Sequence, residues 1–241
     1  MRSRGRLLWA SSLVFVAILA GCDTNLGEHS PITKQGHSMS GLWRAAVWTT
    51  LAIGAIVLSL IIWCLIRYRR RGRDDIPNQR QYVIWLEVLY TAIPIVLVLI
   101  FFAYSYVVQD RVDALSAHPD VTVEVRGFDW QWQFHYPDEG ITVTGLPDKR
   151  PVLVLPVGET VRFVLTSRDV IHSFFVPGFL FKRDVIPGLT NRFEVEPEKV
   201  GLYRGFCAEF CGLGHATMTF EVRTMTKADF DEWASAHRDA S

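Results

Sequence analysis

Only four cysteines occur in the 241 residues, too few and too scattered for a disulfide scaffold of the kind that holds small secreted domains together. No internal repeat recurs along the chain, which excludes a solenoid or propeller, and there is no low-complexity tract. Neither sign of charge prevails. The 25 Lys and Arg balance 25 Asp and Glu, so the strongly basic surface of a nucleic-acid binder is missing and no nucleic-acid partner is expected. This neutral total conceals a polarised chain. Residues 110–241 carry 20 acidic against 14 basic side chains, a balance of −6, whereas Arg67 to Arg80 carry six Arg against two Asp. Hydrophobic residues make up 49% and are densest before residue 110.

Three apolar runs account for that density. Arg2, Arg4 and Arg6 precede the stretch Leu7 to Ala20 and a small-residue Ala20-Gly21 site, the layout of a secretory signal over residues 1–21. At about 1.5 Å per residue this stretch reaches roughly 21 Å, short of the roughly 30 Å hydrocarbon core. Cys22 follows Leu19-Ala20-Gly21 as in a bacterial lipobox, which implies cleavage before Cys22 and lipidation of its thiol; the alternative is an ordinary signal peptide beside an incidental cysteine. After an outer segment over 22–44 come Ala45 to Ile66 and Val88 to Gln109, each 22 uncharged residues and about 33 Å long as a helix. These predict transmembrane helices over 45–66 and 83–109, with Tyr68, Trp85, Tyr104 and Tyr106 near the interfaces. The connector 67–82 has the basic excess of a cytoplasmic loop, which places both termini outside whether or not the signal is cleaved. Glu87 is the one carboxylate near the start of the second span. It is a functional candidate by position or a snorkelling interfacial side chain. Cys64, within the first span, is most simply a packing residue.

Beyond a linker over 110–120 the pattern changes to short alternating runs. Val121, Val123 and Val125 are followed by Trp130, Trp132 and Phe134, and 152–166, 191–196 and 219–223 repeat the style, punctuated by Gly158, Pro177-Gly178, Pro187-Gly188 and Pro197. This predicts an all-β sandwich or barrel over 121–226. Ala228, Phe230, Trp233 and Ala234 lie at helical spacing, so 227–241 is expected to close the chain as a short helix and tail.

The informative segment is Cys207-Ala-Glu209-Phe-Cys211-Gly-Leu-Gly-His215-Ala-Thr-Met218, with His172 35 residues before Cys207. Two thiolates, two imidazoles and a thioether form a soft ligand set that suits copper. A one-copper site uses two His, one Cys and an axial Met, which leaves one cysteine over; two thiolates that bridge a pair of metals use it. A Cys207–Cys211 disulfide is compatible with an exported domain, and a Cys2His2 zinc site fits the ligand count. Neither of these uses Met218. Asp169, three residues before His172, is either a turn residue or a group that orients the imidazole. His29, His37, His118, His135 and His237 have no partners at ligand spacing.

These residues resemble subunit II of the haem-copper cytochrome c oxidases over nearly the whole chain. The resemblance rests on the two-helix hairpin, Gly127-Phe-Asp-Trp130-Gln-Trp132, Asp169-Val-Ile-His172-Ser-Phe, Lys182-Arg-Asp184-Val-Ile-Pro187-Gly188 and the complete C-x-E-x-C-x3-H-x2-M motif. It implies a Greek-key cupredoxin-like domain with a binuclear CuA centre, in which Cys207 and Cys211 bridge two copper ions and His172, His215, Met218 and the Glu209 carbonyl complete the set. It further implies an aa3-type oxidase in the bacterial plasma membrane, in which electrons pass from cytochrome c, or a membrane-bound c-type cytochrome, to subunit I and its associated subunits. There oxygen is reduced to water, coupled to proton translocation. Quinol-oxidising relatives lack the copper ligands, all of which stand here. Trp130 matches the family's electron-accepting surface tryptophan, the alternative being a core aromatic on a strand. The Glu209 carboxylate matches a ligand for Mg at the subunit I interface, and Glu87 matches the glutamate at a proton-channel entrance. The acidic outer domain would steer a basic cytochrome c toward it; an acidic surface that serves solubility alone is the alternative. A membrane-tethered copper chaperone also pairs Cys-x3-Cys with a distant His, but the alternating helices of its thioredoxin-like fold are lacking here.

Overall fold

Alternation decides the fold of residues 121–225. In the computed structural model, which describes residues 26–69, 79–146 and 149–238, Val121, Val123 and Val125 lie on strand β1 (Val121–Phe128) and Trp132, Phe134 and Tyr136 on β2 (Gln131–Tyr136), all six buried. β1 pairs antiparallel with β2 and parallel with β5 (Val161–Ser167); β3 (Ile141–Thr144) flanks β2, and β8 (Asn191–Val195) flanks β5. A second five-stranded sheet runs in the order β4 (Val152–Pro156), β10 (Thr219–Met225), β9 (Gly201–Cys207), β6 (His172–Val176) and β7 (Phe181–Val185). Aromatic rings from both sheets fill the space between them. Phe163 stacks on Phe193 at 4.8 Å and Phe174 on Phe220 at 4.9 Å, while Trp132 meets Phe174 and Phe220 edge-on at 5.9 and 5.6 Å. The result is the expected two-layer Greek-key sandwich.

One hydroxyl joins the layers. Buried Tyr136 on β2 donates to the Val154 carbonyl at 3.0 Å and accepts from the Val154 N–H at 2.9 Å on β4. Burial, opposed in part by that backbone hydrogen bond, raises its pKa above the ordinary 10.0, so it stays a neutral donor and acceptor. Helix α3 (Lys227–Arg238) then covers this end of the sandwich. Thr226 caps it by accepting the Asp229 N–H at 3.2 Å, and its hydroxyl donates to the Asp229 carboxylate at 2.7 Å; Phe230 and Trp233 rest against Tyr136.

The chain divides into two compact units, Gly41–Arg111 and the residues on either side of it. The first holds most of helices α1 (Lys34–Arg67) and α2 (Ile84–Asp113), the two among the described residues that are long and apolar enough to cross a membrane. Leu51, Ile56, Leu60, Val96, Leu99 and Phe102 are exposed on them. A helix apolar on every side suits hydrocarbon, where its internal hydrogen bonds satisfy the backbone. α1 starts at Lys34, well ahead of the apolar run at Ala45, because the Thr33 hydroxyl accepts the Gly36 N–H at 2.9 Å and caps it. The Glu87 carboxylate accepts the Val83 N–H at 3.2 Å at the start of α2. The run expected to be a secretory signal, Cys22 and residues 70–78 of the connector lie outside the described residues.

Within the second unit, β8 and the turn after it fasten the segment at the start of α1 and the segment that follows α2. Buried Glu194 accepts from Arg162 Nε at 2.8 Å and from the backbone N–H of Ser116 at 3.0 Å. Glu196 meets Lys34 Nζ at 2.5 Å and donates its N–H to Gln35, and the Glu198 N–H donates to the Ile32 carbonyl at 2.8 Å. Three glutamates at alternate positions therefore anchor residues 32–35 and 116.

Candidate metal centre

The β9–β10 hairpin closes at its end through the Cys207 N–H, which donates to the Met218 carbonyl at 3.0 Å. Residues 208–217 are left as a loop at the rim of the sandwich. Gly212, at φ +113, adopts a conformation that side chains disfavour, and a short 3-10 turn over His215–Thr217 returns the chain to β10. β6 pairs with β9 in the register Phe174 to Cys207, which brings His172, fully buried at the start of β6, beside Cys207.

All six positions of the ligand motif converge there. Cys207 Sγ stands 3.8 Å from Cys211 Sγ, 3.9 Å from His172 Nδ1 and 3.2 Å from the Glu209 carbonyl oxygen. Cys211 Sγ stands 3.6 Å from His215 Nδ1 and 3.8 Å from Met218 Sδ. A disulfide requires about 2.05 Å between sulfurs, so both thiols are free. Two ligand atoms roughly 2.0–2.3 Å from one tetrahedral metal are about 3.3–3.8 Å apart. The spacings here, 3.2–3.9 Å, lie within 0.1 Å of that range, and each thiol has its own imidazole. The donor set thus fits two soft metal ions that share the sulfurs, with the thioether and the carbonyl at the margins.

The electrostatics of the metal-free pair reinforce this. Burial pushes the Cys207 thiol up, but the hydrogen bond from His172 and the backbone contacts of Glu209 and Ser173 outweigh it and bring the pKa down to about 6. Burial, then the charge of Cys207, pushes Cys211 up to about 12. Positive charge between the sulfurs would favour the thiolate form of both. Burial alone would lower the pKa of His172, yet its contacts with Cys207 and Asp169 raise it above the ordinary value.

Trp130 lies not on β2 but in the two-residue turn before it. The run 130, 132 and 134, one alternating set by sequence, is therefore split. Trp132 is buried and donates to the Met218 carbonyl at 3.4 Å. Trp130 is half-buried, and its indole Nε1–H donates to the Cys211 carbonyl at 2.9 Å. A Cβ placed on Gly214 would meet Trp130 Cγ at 2.4 Å, so this loop glycine is what lets the indole ring lie against it. Gly127 has the same use on the other side, where a Cβ would meet His172 Cδ2 at 2.9 Å. Neither glycine is distinguishable from a turn residue by sequence. Glu209 turns its carbonyl inward and its carboxylate to solvent. Glu87 and Cys64 belong to the helical unit.

The family model described as the periplasmic domain of cytochrome c oxidase subunit II matches residues 142–225. A probable cytochrome c oxidase subunit 2 of Streptomyces avermitilis is 37% identical over 95% of this chain and 86% of its own length. Cytochrome c oxidase subunit 2 of Mycobacterium tuberculosis is 31% identical over 95% of this chain and 81% of its own. Among solved structures, the periplasmic domain of subunit II of the cytochrome oxidase of Bradyrhizobium japonicum is 32% identical, covers 52% of this chain and 99% of its own, and superposes with a TM-score of 0.48.

Proposed function

The chain belongs to the cytochrome c oxidase subunit II family, and on that premise we propose that it takes electrons from cytochrome c, or a membrane-bound c-type cytochrome, at a two-copper CuA centre and passes them to subunit I of an aa3-type oxidase. Membership makes it a component of a haem-copper oxidase complex and a partner of subunit I. The observation that carries the finer proposal is the pair of thiols 3.8 Å apart, each with its own imidazole nitrogen within 3.9 Å. Cys207 and Cys211 would bridge, His172 and His215 would each hold one ion, and Met218 Sδ and the Glu209 carbonyl would take the weaker positions. The copper pair, when bound, supplies one-electron redox capacity spread over two metals.

The rest is the work of the protein. A rigid, largely buried ligand cage moves little when its charge changes, which keeps each transfer facile. Trp130 presents an aromatic face at the rim, hydrogen-bonded to the backbone of one bridging cysteine, and is the residue we assign to electron acceptance. Oxygen reduction and proton translocation belong to subunit I. In the same proposal the exposed Glu209 carboxylate contributes to a Mg site at the subunit I interface, Glu87 stands at a proton-channel entrance, and Cys22 carries a lipid after signal cleavage. The two helices span the bacterial plasma membrane with both termini and the β domain outside.

Substitution at the centre tests the role in the complex. In oxidase purified with its large subunit, Cys207→Ser is expected to abolish oxidation of reduced cytochrome c while the haem spectrum persists. Undiminished turnover in that variant would contradict the proposal.

A further inference from the structure

One carboxylate connects the copper ligands to the surface where electrons arrive. Asp169 Oδ1 lies 2.8 Å from His172 Nε2 and accepts the Val170 N–H at 2.7 Å, while Oδ2 accepts the Asp129 N–H at 2.6 Å. Asp129 immediately precedes Trp130. The other end of that turn is fixed independently, through the indole N–H on the Cys211 carbonyl. The Asp129–Trp130 turn is therefore tied by its backbone, through Asp169, to His172 and by its ring to the backbone of Cys211.

We infer that Asp169 is a positioning residue that locks the His172 imidazole and the Trp130 turn into one frame, so that the aromatic face and the ligand cage keep a fixed mutual geometry. The chemistry of the carboxylate requires both oxygens. Where Nδ1 is taken by the metal, as in the two-copper proposal, the ring proton is on Nε2 and faces Oδ1 at 2.8 Å, which would fix tautomer and ring angle. Oδ2 then remains for the Asp129 N–H. An asparagine offers one acceptor oxygen and one NH2, so whichever way it turns, its NH2 faces another donor and one link is lost. Alanine loses both. The side chain is only partly exposed, and of its four partners two are backbone N–H groups and one is the Ser167 hydroxyl at 3.4 Å, so its part is to hold geometry as well as to add charge.

This inference rests on the two-copper proposal, and the experiment separates the two. Wild type, Asp169→Asn, Asp169→Ala and Asp129→Asn are purified as intact oxidase. Copper content, visible absorption, electron spin resonance spectra and rates of cytochrome c oxidation are measured across a range of salt concentrations. Asp129→Asn removes the same unit of charge nearby but keeps the backbone N–H, so it serves as the charge-only reference. The expected result is that both Asp169 variants keep copper with altered absorption and resonance signals, and oxidise cytochrome c about tenfold more slowly at every salt concentration. Asp129→Asn should keep the wild-type spectrum and lose rate only at low salt. Wild-type spectra in the Asp169 variants, with a rate deficit that vanishes at high salt, would reduce Asp169 to one charge in the donor's path and overturn the inference. An equal spectral change in Asp129→Asn would overturn it as well. A wild-type chain without the two-copper signal would overturn the underlying proposal.

Discussion

At the residue scale the two thiols behave as a coupled pair with opposite shifts. In the metal-free chain with Cys22 and Cys64 replaced by Ser, one ultraviolet thiolate band should rise with a midpoint near pH 6 and vanish in Cys207→Ser, while the second appears only in strongly alkaline solution. Cys207 has its pKa lowered from an ordinary 9.0, so its contribution to stability is complete above about pH 9 and is lost as pH falls through about 6. A single transition near pH 9 for both thiols would contradict this arrangement. Trp130 makes the complementary case. Its ring packs against the edge of the core and is fixed there by the Cys211 carbonyl and the Gly214 seat, so Trp130→Leu should slow cytochrome c oxidation and leave the copper absorption intact; an unchanged rate would remove its role. The tryptophan was visible in the sequence, whereas its hydrogen bond and its glycine seat were not. Those depend on a contact between residues some eighty positions apart.

At the element scale, legibility followed burial. β1 and β2 bury one face and alternate cleanly, so their pattern is plain in the sequence. β6 reads His-Ser-Phe-Phe-Val and buries four of its five residues, which erases the period-2 signal. β7 contains Lys182, Arg183 and Asp184 and resembles a charged loop. The 152–166 stretch comprises two strands, β4 and β5, that belong to different sheets, with Gly158 at φ +83 between them. The link between layers was equally hidden, since Tyr136 reads as one more aromatic of β2. Tyr136→Phe keeps the ring but leaves the Val154 N–H and carbonyl without their buried partner. It should cost about 1–3 kcal/mol in denaturant unfolding of the purified chain followed by tryptophan fluorescence; no change in midpoint would show that the hydroxyl is dispensable.

At the scale of the whole molecule, most of the candidate site could be read because its ligands follow a compact spacing, with only His172 remote. What sequence left open was the choice among a copper pair, a zinc site and a disulfide. The structure removes the disulfide by distance and brings Met218 Sδ to 3.8 Å from Cys211 Sγ, a soft donor that a closed Cys2His2 zinc site has no use for. Exposed apolar helices and a polar, acidic β unit occupy separate parts of the chain, as a membrane-held electron relay requires. The central claim is the shared pair of metals. Metal analysis of the purified oxidase, combined with electron spin resonance and compared with its Cys211→Ser variant, addresses it directly. The account predicts two coppers in this chain that share one unpaired electron, a signal lost or converted to a single-copper type in the variant. Zinc in place of copper, or one isolated copper in the wild type, would contradict it.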